Sequence, residues 1–204
     1  MKRIITISRE FGSGGRELGR RLSELLQVAY YDKEIVTEIA RRTSLSEEYV
    51  HQIIEQRPLM SFPISIGRSF YPMPDPLMEQ NQAIYREQHQ LIRELADKSD
   101  CVIVGRCGDY ILRDLNPFRI FVYADMDAKI ARCRERGKED PPLTDKELKQ
   151  QIKKMDKGRA KYYEFYTGQK WGDRLNYDIC INTSSRSIKE LASVLVRLID
   201  GSPD

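Results

Sequence analysis

The chain lacks any run of about 18 apolar residues, so nothing in it reads as a membrane-spanning helix. Met1-Lys2-Arg3 leads into only five residues of strand-like sequence, too few for a signal-peptide core. The expectation is a cytoplasmic protein with no membrane partner. Cysteine is scarce: Cys101, Cys107, Cys133 and Cys180 lack the paired close spacing of a zinc site, and three of them lie within or beside apolar runs. They read as reduced, mostly buried thiols, with no metal site among them. No internal repeat is visible. Charge of one sign is also missing, since 34 Lys/Arg against 31 Asp/Glu leaves +3 over 204 residues. With 40% hydrophobic and 32% charged residues, that balance excludes a disordered acidic tail, a collagen-like repeat and a low-complexity linker. The length suits one compact domain, 1–204, carrying an insertion.

Short apolar runs alternate with helical patterns along the chain, the signature of βα units around a parallel sheet. Strands are expected at Ile4–Ser8, Val28–Tyr31, Cys101–Val104, Arg119–Ala124 and Asp178–Ile181. Helical stripes are expected at Leu18, Leu22, Leu25 and Leu26, at Ile35, Val36, Ile39 and Ala40, and at Val50, Ile53 and Ile54. Further stripes are Ile84, Leu91, Ile92 and Leu95 in a helix from about Pro76 to Lys98, and Ile188, Leu191, Val194, Leu195 and Leu198 at the C-terminus. Capping boxes are read at Ser44-x-x-Glu47 and Thr144-x-x-Glu147. From Pro58 to Pro76, five prolines and three aromatics with little periodicity read as a loop over a cleft; Gly137 to Pro142 reads as a helix breaker.

The segment Lys129–Lys161 holds twelve Lys/Arg against six Asp/Glu, so it carries +6 while the remainder sums to −3. A locally basic stretch in a nearly neutral chain suits a small polyanion such as a nucleotide better than a broad nucleic-acid face. A solvated helix face is the plain alternative. The turn after the first strand, Gly12-Ser13-Gly14-Gly15-Arg16-Glu17-Leu18-Gly19, opens an amphipathic helix, where glycines let backbone N–H groups approach an anion and the helix N-terminus favours negative charge. Neither standard fingerprint is met in strict form. A dinucleotide site wants its third glycine at Glu17, and a phosphate loop wants a Lys-Ser/Thr pair where Gly15-Arg16-Glu17 stands.

Five pieces in order carry a resemblance: 7–19 (ISREFGSGGRELG), 30–36 (YYDKEIV), 102–112 (VIVGRCGDYIL), 156–163 (DKGRAKYY) and 176–184 (NYDICINTS). Over Ile4 to about Ile199 the chain resembles the cytidylate kinase-like branch of the P-loop nucleoside monophosphate kinases. The resemblance implies an α/β P-loop fold with a five-stranded parallel sheet flanked by helices, an acceptor-binding helical region at about 33–98, and an arginine-bearing lid at about 129–161. It implies ATP and Mg2+, with Gly12, Ser13, Gly14, Gly15, Arg16 and Glu17 at the donor nucleotide and Arg16 beside the loop in place of the missing lysine. Arg106 would grip the acceptor phosphate, Asp32 and Asp109 would stand in the same subsite, and Arg132, Arg136 and Arg159 would close as lid cations, Asp156 orienting Arg159.

Plainer readings stand beside these. Arg106 could be a surface arginine, and Asp32, which in the functional reading orients the acceptor nucleotide or a magnesium-bound water, a helix N-cap. The cluster Tyr162, Tyr163, Phe165 and Tyr166 reads as core packing before base stacking. The loop lysine is absent, Glu17 replaces its hydroxyl neighbour, and Val104 stands where cytidylate kinases place an aspartate. The leading expectation is an ATP-dependent phosphotransferase acting on CMP, dCMP or a related nucleotide. A nucleotide-binding regulatory module that has lost turnover is the alternative. A dinucleotide-dependent oxidoreductase using Asp32 against a ribose is disfavoured by the absent third glycine.

Overall fold

Buried strands announce themselves by apolar runs, and the strand at the middle of the sheet begins with one, Ile4-Ile5, before polar residues take alternate positions. A computed structural model describes residues 2–56, 76–137 and 143–201. Its first strand, β1 (Ile4–Arg9), is buried at all six positions. The others are β2 (Ala29–Tyr31), β3 (Cys101–Val104), β4 (Phe118–Tyr123) and β5 (Ile179–Asn182), and each of the five lies within one residue of its expected bounds at both ends. They form one parallel sheet in the order β2-β3-β1-β4-β5. The chain leaving β1 turns towards β2 on one side, while β3 and β4 flank β1 on either hand. Their loops therefore part at the carboxyl end of β1, where open α/β sheets form ligand crevices.

Eight helices are described: α1 (Gly15–Leu26), α2 (Lys33–Thr43), α3 (Glu47–Gln56), α4 (Pro76–Lys98), α5 (Gly108–Ile111), α6 (Met126–Arg136), α7 (Asp145–Thr167) and α8 (Ile188–Asp200). Strand residues alternate between two cores. Val102 and Val104 pack with Leu18, Leu22 and Leu195 under α1 and α8. Cys101 and Ile103 pack on the other face with Ile39, Ile53, Ile92, Tyr162 and Tyr163 from α2, α3, α4 and α7. Tyr162, Tyr163 and Tyr166 are thus packing, with Tyr166 stacked on Tyr85 at 4.0 Å between centroids, while Phe165, expected in the same cluster, is exposed.

Several expectations are corrected. The Thr144–Glu147 capping box forms, but Ser44 caps nothing at the start of α3: it ends α2 in a left-handed conformation, φ 56°, and Ser46 Oγ takes the Tyr49 N–H instead. Two stripes are wider than the faces they bury, so Leu25, Val194 and Leu198 are more than half exposed. Of the cysteines only Cys101 and Cys107 are buried, Cys133 is half-buried and Cys180 exposed. The expected loop at 58–76 and breaker at 137–142 fall largely outside the described residues.

Candidate active site

β1 delivers its last residue, Arg9, to the carboxyl edge of the sheet, and the chain then turns through residues 10–14 into α1. Gly12 and Gly14 adopt φ 75° and 83°, a left-handed backbone that glycine takes without cost. The turn is tied down from outside. Asp156 Oδ1 accepts the Phe11 N–H at 2.6 Å, Thr183 Oγ1 donates to the Ser13 carbonyl at 2.7 Å, and Ser13 Oγ donates to the Glu10 carbonyl at 2.8 Å. No side chain caps α1, so its first amide groups remain available to an anion.

A cleft of about 300 Å³ lies over this turn. Its walls include Gly12, Gly14, Gly15, Arg16, Arg132, Arg136 and Arg159. Arg132 and Arg136, four apart on α6, face it together. Arg132 donates to the Thr183 carbonyl and hydroxyl, and Arg136 Nη2 lies 2.6 Å from Glu17 Oε2. Glu17 also holds Arg21 at 2.9 Å. Lys129, expected only as one charge of a basic segment, is buried between Glu10 at 2.7 Å and Asp156 at 3.0 Å. Asp156 therefore does not orient Arg159, as its position three residues before that arginine suggested. It braces the glycine turn through Phe11 and Lys129.

A smaller pocket of about 30 Å³ adjoins the cleft, bounded by Arg9, Glu55, Arg106, Arg159, Tyr162 and Trp171. Here three guanidiniums converge on one carboxylate. Arg106 Nη1 lies 2.9 Å from Glu55 Oε1, Arg159 Nε 2.7 Å from Oε2, and Arg9 Nη2 3.6 Å from Oε1. Burial pushes the Glu55 carboxyl up, but Arg106, Arg159 and Arg9 more than reverse this and hold it well below the ordinary carboxylate range. Arg106 is no surface residue: its side chain is 2% exposed, on a backbone with φ 60°.

Asp32, directly after β2, is 2% exposed and does not cap α2. Its Oδ2 pairs with Arg16, which is half-exposed, while its Oδ1 has no hydrogen-bond partner among the described residues. Asp109 stands apart from the arginines. It is buried at the start of α5 and accepts the Tyr163 hydroxyl at 2.6 Å, with Ser8 Oγ at 3.5 Å. Sequence reasoning missed Arg9 and Glu55. The turn, Asp32, Arg106 and Arg159 do meet at one edge of the sheet. Counting Arg9, Arg16, Arg106 and Arg159 against Asp32 and Glu55, this junction carries a surplus of two positive charges.

A five-stranded parallel sheet of this order, with a glycine turn running into α1, defines a P-loop kinase-type α/β fold. The chain belongs to the cytidylate kinase-like family, whose sequence model matches residues 4–185. It is 24% identical over 190 residues to a cytidylate kinase of Desulfurococcus amylolyticus, covering 93% of this chain and 88% of that one. It is 25% identical over 198 residues to a cytidylate kinase of Staphylothermus marinus, covering 97% and 96%. Among solved structures, an uncharacterized protein from Eubacterium ventriosum superposes with TM-score 0.71 at 30% identity, covering 98% of this chain and 100% of that one. A shikimate kinase from Acinetobacter baumannii shares the fold at TM-score 0.56 and 17% identity, with 98% and 94% covered. Family and fold together support a nucleotide kinase-like function. No helix among the described residues is long and apolar enough to cross a membrane.

Proposed function

We propose that the protein transfers the γ-phosphoryl group of ATP to a small phosphate-bearing acceptor, with CMP or dCMP first among candidates. The observation that carries this reading is the buried arginine cluster at the mouth of the glycine turn, whose surplus positive charge suits a second anion beside a triphosphate. In such a reaction the bond from the γ-phosphorus to the bridging oxygen breaks, an acceptor phosphate oxygen bonds to that phosphorus, and ADP leaves. The protein's part is positioning and charge stabilisation. The residues 10–14 and the start of α1 would hold the donor phosphates. Arg132, Arg136 and Arg159 would close over them as a lid in 129–161, and Arg106 would hold the acceptor phosphate, with the helices of 33–98 around it.

Magnesium fits as an ion that arrives with the triphosphate, since such ions use one or two carboxylates and the substrate's own oxygens. Asp32, whose Oδ1 is buried without a hydrogen bond among the described residues and has only the Arg9 guanidinium 3.8 Å away, is the residue suited to it. No cluster of three metal-ligating side chains exists among the described residues. When bound, the ion would neutralise phosphate charge. Asp109, tied to Tyr163 and Ser8, is assigned a bracing role behind the acceptor pocket.

The loop positions Gly15, Arg16 and Glu17, lacking lysine and hydroxyl, favour one second reading, a nucleotide-binding module without turnover. Coupled ADP release with ATP, Mg2+ and a panel of CMP, dCMP, UMP, AMP and GMP separates the two. Turnover is expected with a pyrimidine monophosphate. A silent panel combined with retained binding of a non-hydrolysable ATP analogue would leave the module, and absence of analogue binding would end both readings.

A further inference from the structure

The phosphate-loop motif runs Gly-x4-Gly-Lys-Ser/Thr, with its lysine directly after the second glycine. Laid on Gly14 as that second glycine, the frame puts Gly15 at the lysine, Arg16 and not the expected Glu17 at the hydroxyl, and Arg9 at the first glycine. A cation stands where the motif has glycine, and a glycine stands where it has the cation.

The geometry makes this one exchange rather than two losses. A Cβ on Gly15 would lie 2.5 Å from Arg9 Cβ and 3.1 Å from its Cγ, so the bare glycine is what admits the arginine stem. On the other side, a Cβ on Gly105 would collide with the Arg9 guanidinium, so Gly105 admits its head. Arg9 thus runs from the donor turn to the acceptor pocket, and it lines both cavities.

Charge balance does not explain it. Glu55 is already bonded by Arg106 and Arg159, and Asp32 by Arg16. Among the described residues, Arg9 Nη2 is buried with no hydrogen-bond partner, and its nearest carboxylate oxygens are at 3.6 and 3.8 Å. A buried guanidinium nitrogen left open between two cavities is costly unless something else completes it. We infer that Arg9 supplies the phosphoryl-binding charge that the ordinary motif places at position 15, reaching the donor phosphates from the end of β1. The assignment rests on the phosphotransfer reading above and takes over the part expected of Arg16, whose guanidinium is engaged by Asp32. Burial and the neighbouring Arg159 push the Arg9 pKa down to about 9, the mark of a positive charge short of counter-anion.

The test uses Arg9→Met, which removes the charge but keeps the bulk, together with Arg9→Gly, Gly15→Lys and the double variant Arg9→Gly/Gly15→Lys. Binding of AMP-PNP is followed by calorimetry, kcat by ADP release and folding by thermal denaturation. Arg9→Met should weaken AMP-PNP binding or lower kcat by roughly ten- to a thousandfold, the scale of one lost charge-stabilising donor, with Tm maintained. Gly15→Lys alone should bind poorly, because both side chains claim one space. The double variant should recover at least tenfold of the loss seen in Arg9→Gly. Analogue binding and kcat within twofold of wild type in folded Arg9→Met, or a folded double variant no better than Arg9→Gly, would overturn the assignment and leave the functional reading standing. If the double variant does not fold, Arg9→Lys decides: retention of more activity than Arg9→Met is expected, and equality of the two overturns the proposal. A wild-type protein that binds no analogue would remove both.

Discussion

The two walls of the cleft use arginine differently. On the donor wall, Arg16, Arg132 and Arg136 each have a separate partner, respectively Asp32, Thr183 and Glu17; Arg16 and Arg136 are about half-exposed. On the acceptor wall, Arg106 bonds Glu55, whose side chain is 3% exposed, and Arg9 and Arg159, which line both cavities, converge on the same carboxylate. A pair near solvent such as Arg136–Glu17 is screened by water and contributes little, so the rim of the donor wall can be altered with small effects on the fold. Buried charges depend on their partners for several kcal/mol, so the acceptor wall ties binding to stability. Like-charge repulsion and desolvation are held in place there by one carboxylate, which leaves the site poised for an anion.

The comparison breaks first at Glu55. Glu55→Ala strips the cluster of its shared anion and should cost about 3–5 kcal/mol in urea denaturation at pH 7, with part restored by added phosphate or sulfate. A loss below about 1 kcal/mol would mean that water reaches the arginines and that the walls do not differ. Glu55 should also shape acid unfolding. Its native carboxyl is held well below the ordinary range, so the unfolded chain binds more protons and stability rises with pH in that window. The contribution is present above the unfolded value of 4.5 and is lost as pH falls through the lower native one. Glu55→Gln should therefore flatten the acid limb of stability against pH.

A smaller effect tests the division of labour. Arg106→Lys keeps the charge but loses the planar fork, and should raise the acceptor KM about tenfold while the ATP KM stays within twofold. Equal losses for both substrates would make Arg106 a structural cation shared by the walls. On the donor wall, Arg132→Met removes its bonds to the buried Thr183 and should cost about 1–2 kcal/mol of stability, together with a raised ATP KM. Stability loss with an unchanged ATP KM would confine Arg132 to fastening α6 to β5.

What the sequence made legible follows the same division. Strands buried on both faces write themselves as apolar runs, and residues just beyond them, Asp32 and Arg106, fall at the sheet's edge whatever the loops do. Glu55 carries no such signal: on α3 it looks like any helical glutamate, and its burial comes from partners 51 and 104 residues away. Arg9 could have been found by setting the whole phosphate-loop frame on Gly14 instead of asking only what replaced the lysine. Ser44 misled because the spacing of a capping box says nothing about the left-handed backbone that ends the preceding helix. Asp156 misled because proximity in sequence, three residues from Arg159, is only one turn of α7, and its carboxylate points to the glycine turn.

The smallest expected effect lies at Glu17, the residue standing just after the loop. Its carboxylate holds Arg136 at 2.6 Å and Arg21 at 2.9 Å, and Arg136 is half-exposed on the rim of the donor cleft. Such a pair is worth about 0–1 kcal/mol to the fold. Its larger consequence is competition, because a guanidinium engaged by Glu17 has less to offer a triphosphate. Glu17→Gln should change stability by less than about 1 kcal/mol and tighten AMP-PNP binding by roughly two- to fivefold at low salt. The gain should fade as ionic strength rises towards 0.5 M, since the competing charges lie near solvent. Arg136→Ala in the Glu17→Gln background should abolish it. Tightening that survives without Arg136 would locate the competition at another cation, and unchanged affinity at every salt concentration would show that Arg136 can serve both anions at once.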